Sequence, residues 1–229
     1  MRNGRRTEPT VVRRIGIIGD VHTERARLAG ALAFLSTQGV DRVLCTGDVP
    51  DGPGDAADVD ACCELLRAAN VLTVCGNHDR WLLDDELRDL TGAIRAEDLA
   101  RASLLFLRSL PTSIELATRR GAALLCHGLG DDDMAELLPY DHGRALLDNA
   151  ALQAVLAEHR FGHVICGHTH RPMLRVLSGV AFINAGTLLE DHEPCCAVID
   201  FDAGELRSFA VGKDGSVTPG GVETLTPGA

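Results

Sequence analysis

The sequence predicts an α/β protein whose strands deliver polar side chains to one edge of a sheet. Five short aliphatic runs, each ending at a small residue or Cys and followed by Asp, Asn or His, begin near residues 14, 42, 71, 122 and 164. Such runs suit strands buried on both faces of a parallel or mixed sheet. The first three alternate with stretches of helical spacing at 24–37 and 55–69, which indicates a βαβ framework.

The remaining chain adds helices and antiparallel strands to this framework. Residues 81–110 are rich in Leu, Asp, Glu and Arg without a strand pattern, and they predict two helices near the site. Residues 130–160 form a second insertion, with a helix over 146–159. Four later runs separated by Gly-containing turns predict antiparallel strands of a second sheet edge, at 173–176, 180–183, 196–201 and 206–211.

The length of 229 residues fits one domain, which we expect over 13–211. Residues 1–12 are basic and predict a flexible arm, whereas the Gly-, Pro- and Thr-rich stretch 212–229 predicts an edge hairpin followed by a flexible tail. The edge-like strands near the C-terminus are compatible with a dimer.

Composition excludes several classes of function. The formal charge of −11 argues against sequence-independent nucleic-acid binding. No apolar run approaches the roughly 18 residues of a membrane span, and the first 14 residues contain no apolar signal segment, so we expect a cytoplasmic protein without a membrane anchor. Eight cysteines without a C-x-x-C pair predict buried thiols in a reducing compartment, not disulfides or metal ligands.

The polar residues at the strand ends are the candidate site. They are Asp20, His22, Asp48, Asn77, His78, Asp79, His127, His168 and His170. In four of the five runs a Gly directly precedes the polar group, which lets the backbone turn sharply and approach closely. Because the carboxyl ends of parallel strands meet at one edge, we expect a single cluster there. Grouped His and Asp side chains of this kind mark metal or catalytic sites.

Five motifs in order resemble those of the calcineurin-like metallophosphoesterase superfamily over roughly residues 14–190. They are Gly19-Asp20-Val21-His22, Gly47-Asp48-Val49-Pro50-Asp51, Gly76-Asn77-His78-Asp79, Cys126-His127-Gly128 and Gly167-His168-Thr169-His170. The stretches His168 to Pro172 and Asn184 to Thr187 are similar to the small, single-domain, phosphodiesterase-like branch. The resemblance implies a sandwich of two mixed β-sheets flanked by helices, with a dinuclear metal centre at the strand ends.

Position by position, the resemblance implies which residues hold the metals. One ion would be bound by Asp20, His22 and His170 and the other by Asn77, His127 and His168, with Asp48 bridging both. Imidazole and carboxylate ligands suit several metals, and Mn²⁺ is expected, with Fe, Zn, Ni, Co and Mg as the other candidates. The implied reaction is hydrolysis of a small phosphodiester or phosphomonoester by in-line attack of a metal-bridging hydroxide.

The residues after Asn77 carry the expected proton chemistry. By resemblance, His78 protonates the leaving oxygen or, together with Asn77, binds the phosphoryl group of the substrate, while a spacer without a catalytic role is the alternative for His78. Asp79 is expected to orient the imidazole of His78, because a carboxylate commonly fixes the useful tautomer. Arg80 either contacts substrate phosphate or pairs with a nearby Asp.

Two positions depart from other branches of the superfamily. Thr23 follows His22, and Gly52 follows Asp51, where serine/threonine protein phosphatases and dinucleotide polyphosphate hydrolases usually carry Gly and Arg. His78 stands where many phosphodiesterase-like members show Cys, so diesters and monoesters both stay open as substrates. The alternative to an enzyme is a non-catalytic metal-binding scaffold that binds a protein partner, but the complete ligand set favours the enzyme.

Overall fold

Two six-stranded mixed sheets pack face to face in the computed structural model, which describes residues 4–225. Helices cover the outer face of each sheet. This architecture confirms the predicted α/β sandwich.

In chain order, the strands are β1 (Arg6–Val12), β2 (Arg14–Ile18), β3 (Arg42–Cys45), β4 (Leu72–Thr73), β5 (Ser113–Thr118), β6 (Gly121–Cys126), β7 (Phe161–Cys166), β8 (Met173–Leu177), β9 (Val180–Asn184), β10 (Cys195–Asp200), β11 (Glu205–Val211) and β12 (Val217–Thr224). The helices are α1 (Arg25–Ser36), α2 (Ala56–Ala68), α3 (Asn77–Asp84), α4 (Arg101–Ser109), α5 (Arg144–Leu147) and α6 (Ala150–Ala157), with a 3₁₀ turn at Ala96–Asp98.

The predicted βαβ framework forms one half of the first sheet, whose order is β12-β11-β10-β2-β3-β4. Strands β2, β3 and β4 are parallel, and α1 and α2 connect them. The second sheet has the order β1-β5-β6-β7-β9-β8, with β6, β7 and β9 parallel. The parallel strands of both sheets therefore end toward the site.

The core follows the alternation of side chains along the strands. Ile15 and Ile17 of β2 lie between the two sheets, in a cluster with Ile165 of the second sheet. Ile18 points to the other face of its sheet and packs with Leu35 of α1. Burying each such side chain stabilises the fold by about 1.5–3 kcal/mol, so this alternation determines which face of the strand turns inward.

The expectation of a flexible arm over residues 1–12 is wrong for most of its length. Residues 6–12 form β1, which pairs in parallel with β5, with Arg6 opposite Ile114. The backbone of this segment forms hydrogen bonds with a strand about a hundred residues away. The composition of the segment itself does not indicate that pairing. Residues 1–3 lie outside the described residues.

In the stretch 212–229, predicted as an edge hairpin and flexible tail, residues 217–224 form the edge strand β12, antiparallel to β11. Residues 226–229 of this stretch lie outside the described residues. The helix predicted over 146–159 is divided into α5 and α6, because the Asn149 side chain caps α6 by accepting from the Leu152 amide. In the segment 81–110, α3 begins earlier than predicted and α4 follows the 3₁₀ turn.

No helix within residues 4–225 combines the length and apolar composition required to cross a membrane. Six of the eight cysteines are buried. Cys45, Cys126 and Cys166 lie in the hydrophobic core at the ends of their strands.

Candidate metal centre

The predicted polar cluster forms where the strands of the two sheets end. Asp20 follows β2, Asp48 follows β3 and Asn77 follows β4, while His127 and His168 follow β6 and β7. A bridge between Asp20 and Thr187 joins the two sheets at this edge. The structure therefore brings together all seven residues for which the sequence predicts metal binding.

The first donor set comprises Asp20, His22, Asp48 and His170. One donor atom of each lies within 4.8 Å of the others. Nε2 of His170 is 3.2 Å from Oδ2 of Asp20 and 3.0 Å from Nε2 of His22. Imidazole nitrogens and carboxylate oxygens at this spacing match the ligands of Mn, Fe or Zn.

The second donor set comprises Asp48, Asn77, His127 and His168. Oδ1 of Asn77 lies 2.8 Å from Nε2 of His127 and 2.9 Å from Nδ1 of His168. Asp48 belongs to both sets, because its Oδ2 is 3.3 Å from His127 and 3.8 Å from His22. Its other oxygen accepts the backbone N–H of His78 at 2.8 Å. One oxygen of Asp48 is thus left facing both sets.

Backbone carbonyls determine which nitrogen of two histidines faces the cluster. Nδ1 of His127 lies 2.7 Å from the Thr46 carbonyl, and Nδ1 of His22 lies 2.6 Å from the Asp51 carbonyl. Since a carbonyl oxygen only accepts, each Nδ1 carries a proton, and Nε2 is the nitrogen that each imidazole can offer to a metal. Nε2 of His127 faces Oδ1 of Asn77, so a cation bound between them would replace the proton of Nε2. Converging acceptors of this kind fit a cation between them.

Two buried carboxylates make this cluster a strong attractor of positive charge. Burial lowers the pKa of His127, but the carboxylates of Asp48 and Asp20 outweigh it and raise that pKa to about 10. Burial in turn raises the pKa of Asp48, but His127 and His22 hold it well below its usual value. A divalent cation would compete with the proton on His127, so binding is expected to release protons.

The backbone at the site adopts conformations that side chains rarely favour. Among the described non-glycine residues with positive φ, six of eleven belong to these loops: His22, Thr23, Asp48, Asp51, His168 and His170. Each such residue costs about 1–3 kcal/mol, so the surrounding structure must hold it in place. Strain concentrated in this way is typical of functional sites.

Two glycines leave room for the carboxylates of Asp48 and Asp20. A Cβ on Gly76 would overlap Oδ1 of Asp48, and a Cβ on Gly167 would overlap Oδ1 of Asp20. The predicted reason for Gly before the polar group, close approach of the backbone, is therefore confirmed at both positions.

His78 has a different partner from the one predicted. Its Nδ1 lies 2.9 Å from Oδ2 of Asp51, not beside Asp79. Asp79 instead accepts three backbone N–H groups, from Gly76, Asp48 and Val49, at 2.8–3.1 Å. The reason is that α3 begins at Asn77, so the side chain of its third residue turns back toward the helix N-terminus. Asp79 ties two ligand-bearing loops together.

The contacts of Arg80 favour the second of its two predicted roles. Its guanidinium donates to both carboxylate oxygens of Asp133, at 2.6 and 3.0 Å, and to Glu86 at 2.8 Å. Asp133 is the last residue of the acidic run Asp131-Asp132-Asp133. Contact between Arg80 and substrate phosphate remains a prediction.

Sequence reasoning missed four residues that support the site. Thr46 donates its hydroxyl to Oδ1 of Asp20 at 2.7 Å. Asp51 holds His78, and Arg88 binds Asp51. Nε2 of the exposed His192 lies 3.3 Å from Nδ1 of His170. Asp51 could have been found, since it closes the second motif, whereas Arg88 and His192 lie outside every motif.

The fold, the strand-end donors and the motif order define a metallophosphoesterase-type protein. The family description of the calcineurin-like phosphoesterase superfamily domain matches residues 14–204. The chain belongs to this superfamily.

Two relatives have similar sequences. The chain is 26% identical over 187 residues to an uncharacterised protein of Methanocaldococcus jannaschii, covering 78% of this chain and 71% of that protein. It is 34% identical over 149 residues to a UDP-2,3-diacylglucosamine hydrolase of Stutzerimonas stutzeri, covering 63% of this chain and 59% of the relative.

Solved structures with this fold include two of note. A metallophosphoesterase from Sphaerobacter thermophilus is 23% identical, with a TM-score of 0.63, covering 87% of this chain and 88% of that one. Vps29 from Entamoeba histolytica, in complex with zinc, is 18% identical, with a TM-score of 0.54 and coverage of 93% and 99%. At these identities, both similarities establish the fold alone.

Proposed function

We propose that this protein is a dinuclear metal-dependent phosphoesterase that hydrolyses a small phosphodiester or phosphomonoester. The observation that carries the proposal is the position of Asp48. Its Oδ2 lies 3.8 Å from Nε2 of His22 in the first donor set and 3.3 Å from Nε2 of His127 in the second. A shared carboxylate offsets the repulsion between two cations only about 3.5–4 Å apart.

The residues present fit two divalent cations. Asp20, His22 and His170 would hold one, Asn77, His127 and His168 the other, and Asp48 both. When bound, such ions lower the pKa of water and neutralise phosphate oxygens, which favours in-line attack on phosphorus. Mn²⁺ is the first metal to test, and the donor chemistry also admits Fe, Zn, Co or Ni.

His78 is the proposed general acid. Its Nδ1 is bound to Asp51, so Nε2 is the nitrogen that remains to give a proton to the leaving oxygen. The imidazole packs edge-on against Trp81, with ring centroids 4.6 Å apart, which restricts its rotation. Burial lowers the pKa of His78, but its hydrogen bond with Asp51 and the charge of Asp48 raise it above the usual value.

The experiment compares hydrolysis of bis-p-nitrophenyl phosphate and p-nitrophenyl phosphate by protein loaded with Mn²⁺ and by chelated protein. We expect turnover only with metal, and little or none in Asp48→Asn, while the exposed Asp89→Asn behaves as wild type. Metal binding should also raise the melting temperature of the wild type, since a ligand that binds only the folded state stabilises it. Turnover that survives chelation would overturn the proposal.

The second candidate is a metal-binding scaffold for a protein partner. Its support is the fold shared with zinc-bound Vps29. A scaffold, however, needs neither His78 nor the carboxylate that orients it. Two bound metals without turnover of either ester would favour this candidate.

A further inference from the structure

A buried arginine holds the side chain that supports His78. Arg88 lies on the segment between α3 and α4, and its side chain is only 5% exposed. Its guanidinium donates from Nη1 to Oδ1 of Asp51 and from Nη2 to Oδ2, both at 2.9 Å. Two parallel hydrogen bonds determine the plane of a carboxylate, which a single contact does not.

The guanidinium is also anchored to its own segment. Nε donates to the Glu86 carbonyl, and Nη1 donates to the Ile94 carbonyl, each at 2.7 Å. The Ile94 amide donates in turn to Oδ1 of Asp51 at 2.8 Å. All three nitrogens of the Arg88 guanidinium thus donate inside the protein, so this side chain serves Asp51 and not a substrate phosphate.

Asp51, held in this orientation, in turn orients the imidazole of His78. Its Oδ2 accepts both Nη2 of Arg88 and Nδ1 of His78, each at 2.9 Å. The backbone carbonyl of Asp51 accepts the Nδ1–H of His22. Asp51 itself has a positive φ of 60°. Gly52 directly follows Asp51 in the chain, and a guanidinium reaches Asp51 from a distant segment instead.

We propose that Arg88 is a positioning residue that holds Asp51 so that His78 keeps its proton on Nδ1 and directs Nε2 to the leaving oxygen. This inference rests on the proposed phosphoesterase function. In the step it serves, a water that has already lost one proton to solvent bonds through its oxygen to phosphorus as the P–O bond to the leaving group breaks, and its remaining proton stays on the product phosphate. The leaving oxygen takes the Nε2 proton of the His78 imidazolium, and neutral imidazole remains bound to Asp51 through Nδ1.

The test measures kcat and KM of Arg88→Gln and Arg88→Lys across aryl phosphate esters whose leaving groups range from activated to poor. We expect kcat for poor leaving groups to fall about 10- to 100-fold in Arg88→Gln, with KM and the rate for activated esters little changed, since general acids contribute about 10²–10⁴-fold. Arg88→Lys should recover part of the loss. Arg95→Gln, a change on the same segment, is the matched control.

Two further readouts separate positioning from a merely structural role. In a His78→Ala background, Arg88→Gln should cause no further loss, because residues that act as a unit are not additive. Nitrogen NMR shifts of His78 in metal-free protein should show protonated Nδ1 in the wild type and a mixture of tautomers in Arg88→Gln.

An active wild type whose Arg88 variants lose rate equally on all esters would overturn the Arg88 role alone. That role would also be overturned if Arg88→Gln lowers metal content but leaves the dependence on the leaving group unchanged. A metal-loaded wild type inactive on every ester would overturn the proposed function and this inference together.

Discussion

Nδ1 of His78 lies 2.9 Å from a carboxylate oxygen of Asp51, a residue 27 positions earlier in the chain. The carboxylate next to it in sequence, Asp79, is turned away and bound by backbone amides. Proximity along the chain therefore predicts the wrong hydrogen-bond partner for the imidazole of His78. The two aspartates have separable roles, one toward the imidazole and one toward the backbone of the ligand-bearing loops.

We predict that His78→Ala slows esters with poor leaving groups more than activated aryl esters. Loss of a general acid costs about 10²–10⁴-fold where protonation limits the rate, and much less where the leaving group departs unaided. Steady-state rates on p-nitrophenyl and phenyl esters provide the comparison. The exposed His142→Ala is the control, and an equal loss on both esters would argue against protonation by His78.

Asp79→Asn should weaken the fold more than it alters the dependence on the leaving group. An asparagine presents one acceptor and one donor where three amide N–H groups now converge, so at least one donor would be unsatisfied. We expect the free energy of unfolding to fall by about 3 kcal/mol, as measured by urea denaturation. Unchanged stability combined with a selective loss on poor leaving groups would instead make Asp79 the residue that orients His78.

Much of the fold could be predicted because its signals are local. The runs ending at Asp20 and Asp48 show strand burial, and the Gly before each shows a close turn. By contrast, β1 is an edge strand whose sequence includes Pro9, and only its pairing with β5 makes it a strand. Such long-range pairing leaves no local pattern.

The seven predicted metal-binding residues cluster because each lies just after a strand, and these strands end at the same edge of the two sheets. The residues that hold this cluster in place are not marked by such a local pattern. Arg88 reaches Asp51 from an irregular segment, and the direction of Asp79 depends on the residue at which α3 begins. A shift of one or two residues in the start of a helix is enough to reverse where a side chain points.

Gly167→Ala should weaken metal binding while preserving the fold. The added Cβ would displace Oδ1 of Asp20 and the Thr46 hydroxyl bound to it. Disturbing a residue that orients a ligand costs about 10- to 100-fold in metal affinity. Isothermal titration with Mn²⁺ measures the change. Gly221→Ala, which meets only an ordinary contact, should bind metal as the wild type does.

His163 gives the fold a pH dependence separate from the site. Its Nδ1 is buried without a hydrogen-bond partner among the described residues, and burial together with Arg120 lowers the pKa to about 4. Below pH about 6.5, His163 binds a proton in the unfolded state but not in the folded state. The free energy of unfolding therefore falls by up to about 1.4 kcal/mol per pH unit until pH about 4.

His163→Phe removes this titration and keeps an aromatic ring against Phe201, whose centroid is now 5.0 Å away. Urea denaturation between pH 7 and 5 should therefore show a shallower loss of stability in the variant than in the wild type. The other histidines cancel in the difference. Parallel curves for the two proteins would remove His163 as the cause.

The most direct test of the dinuclear centre is an anomalous difference map of the crystalline, Mn²⁺-loaded protein at the manganese edge. We expect two peaks about 3.5–4 Å apart, one within each donor set, with the Asp48 carboxylate bound to both. A single peak, or two peaks that do not share Asp48, would contradict the dinuclear centre.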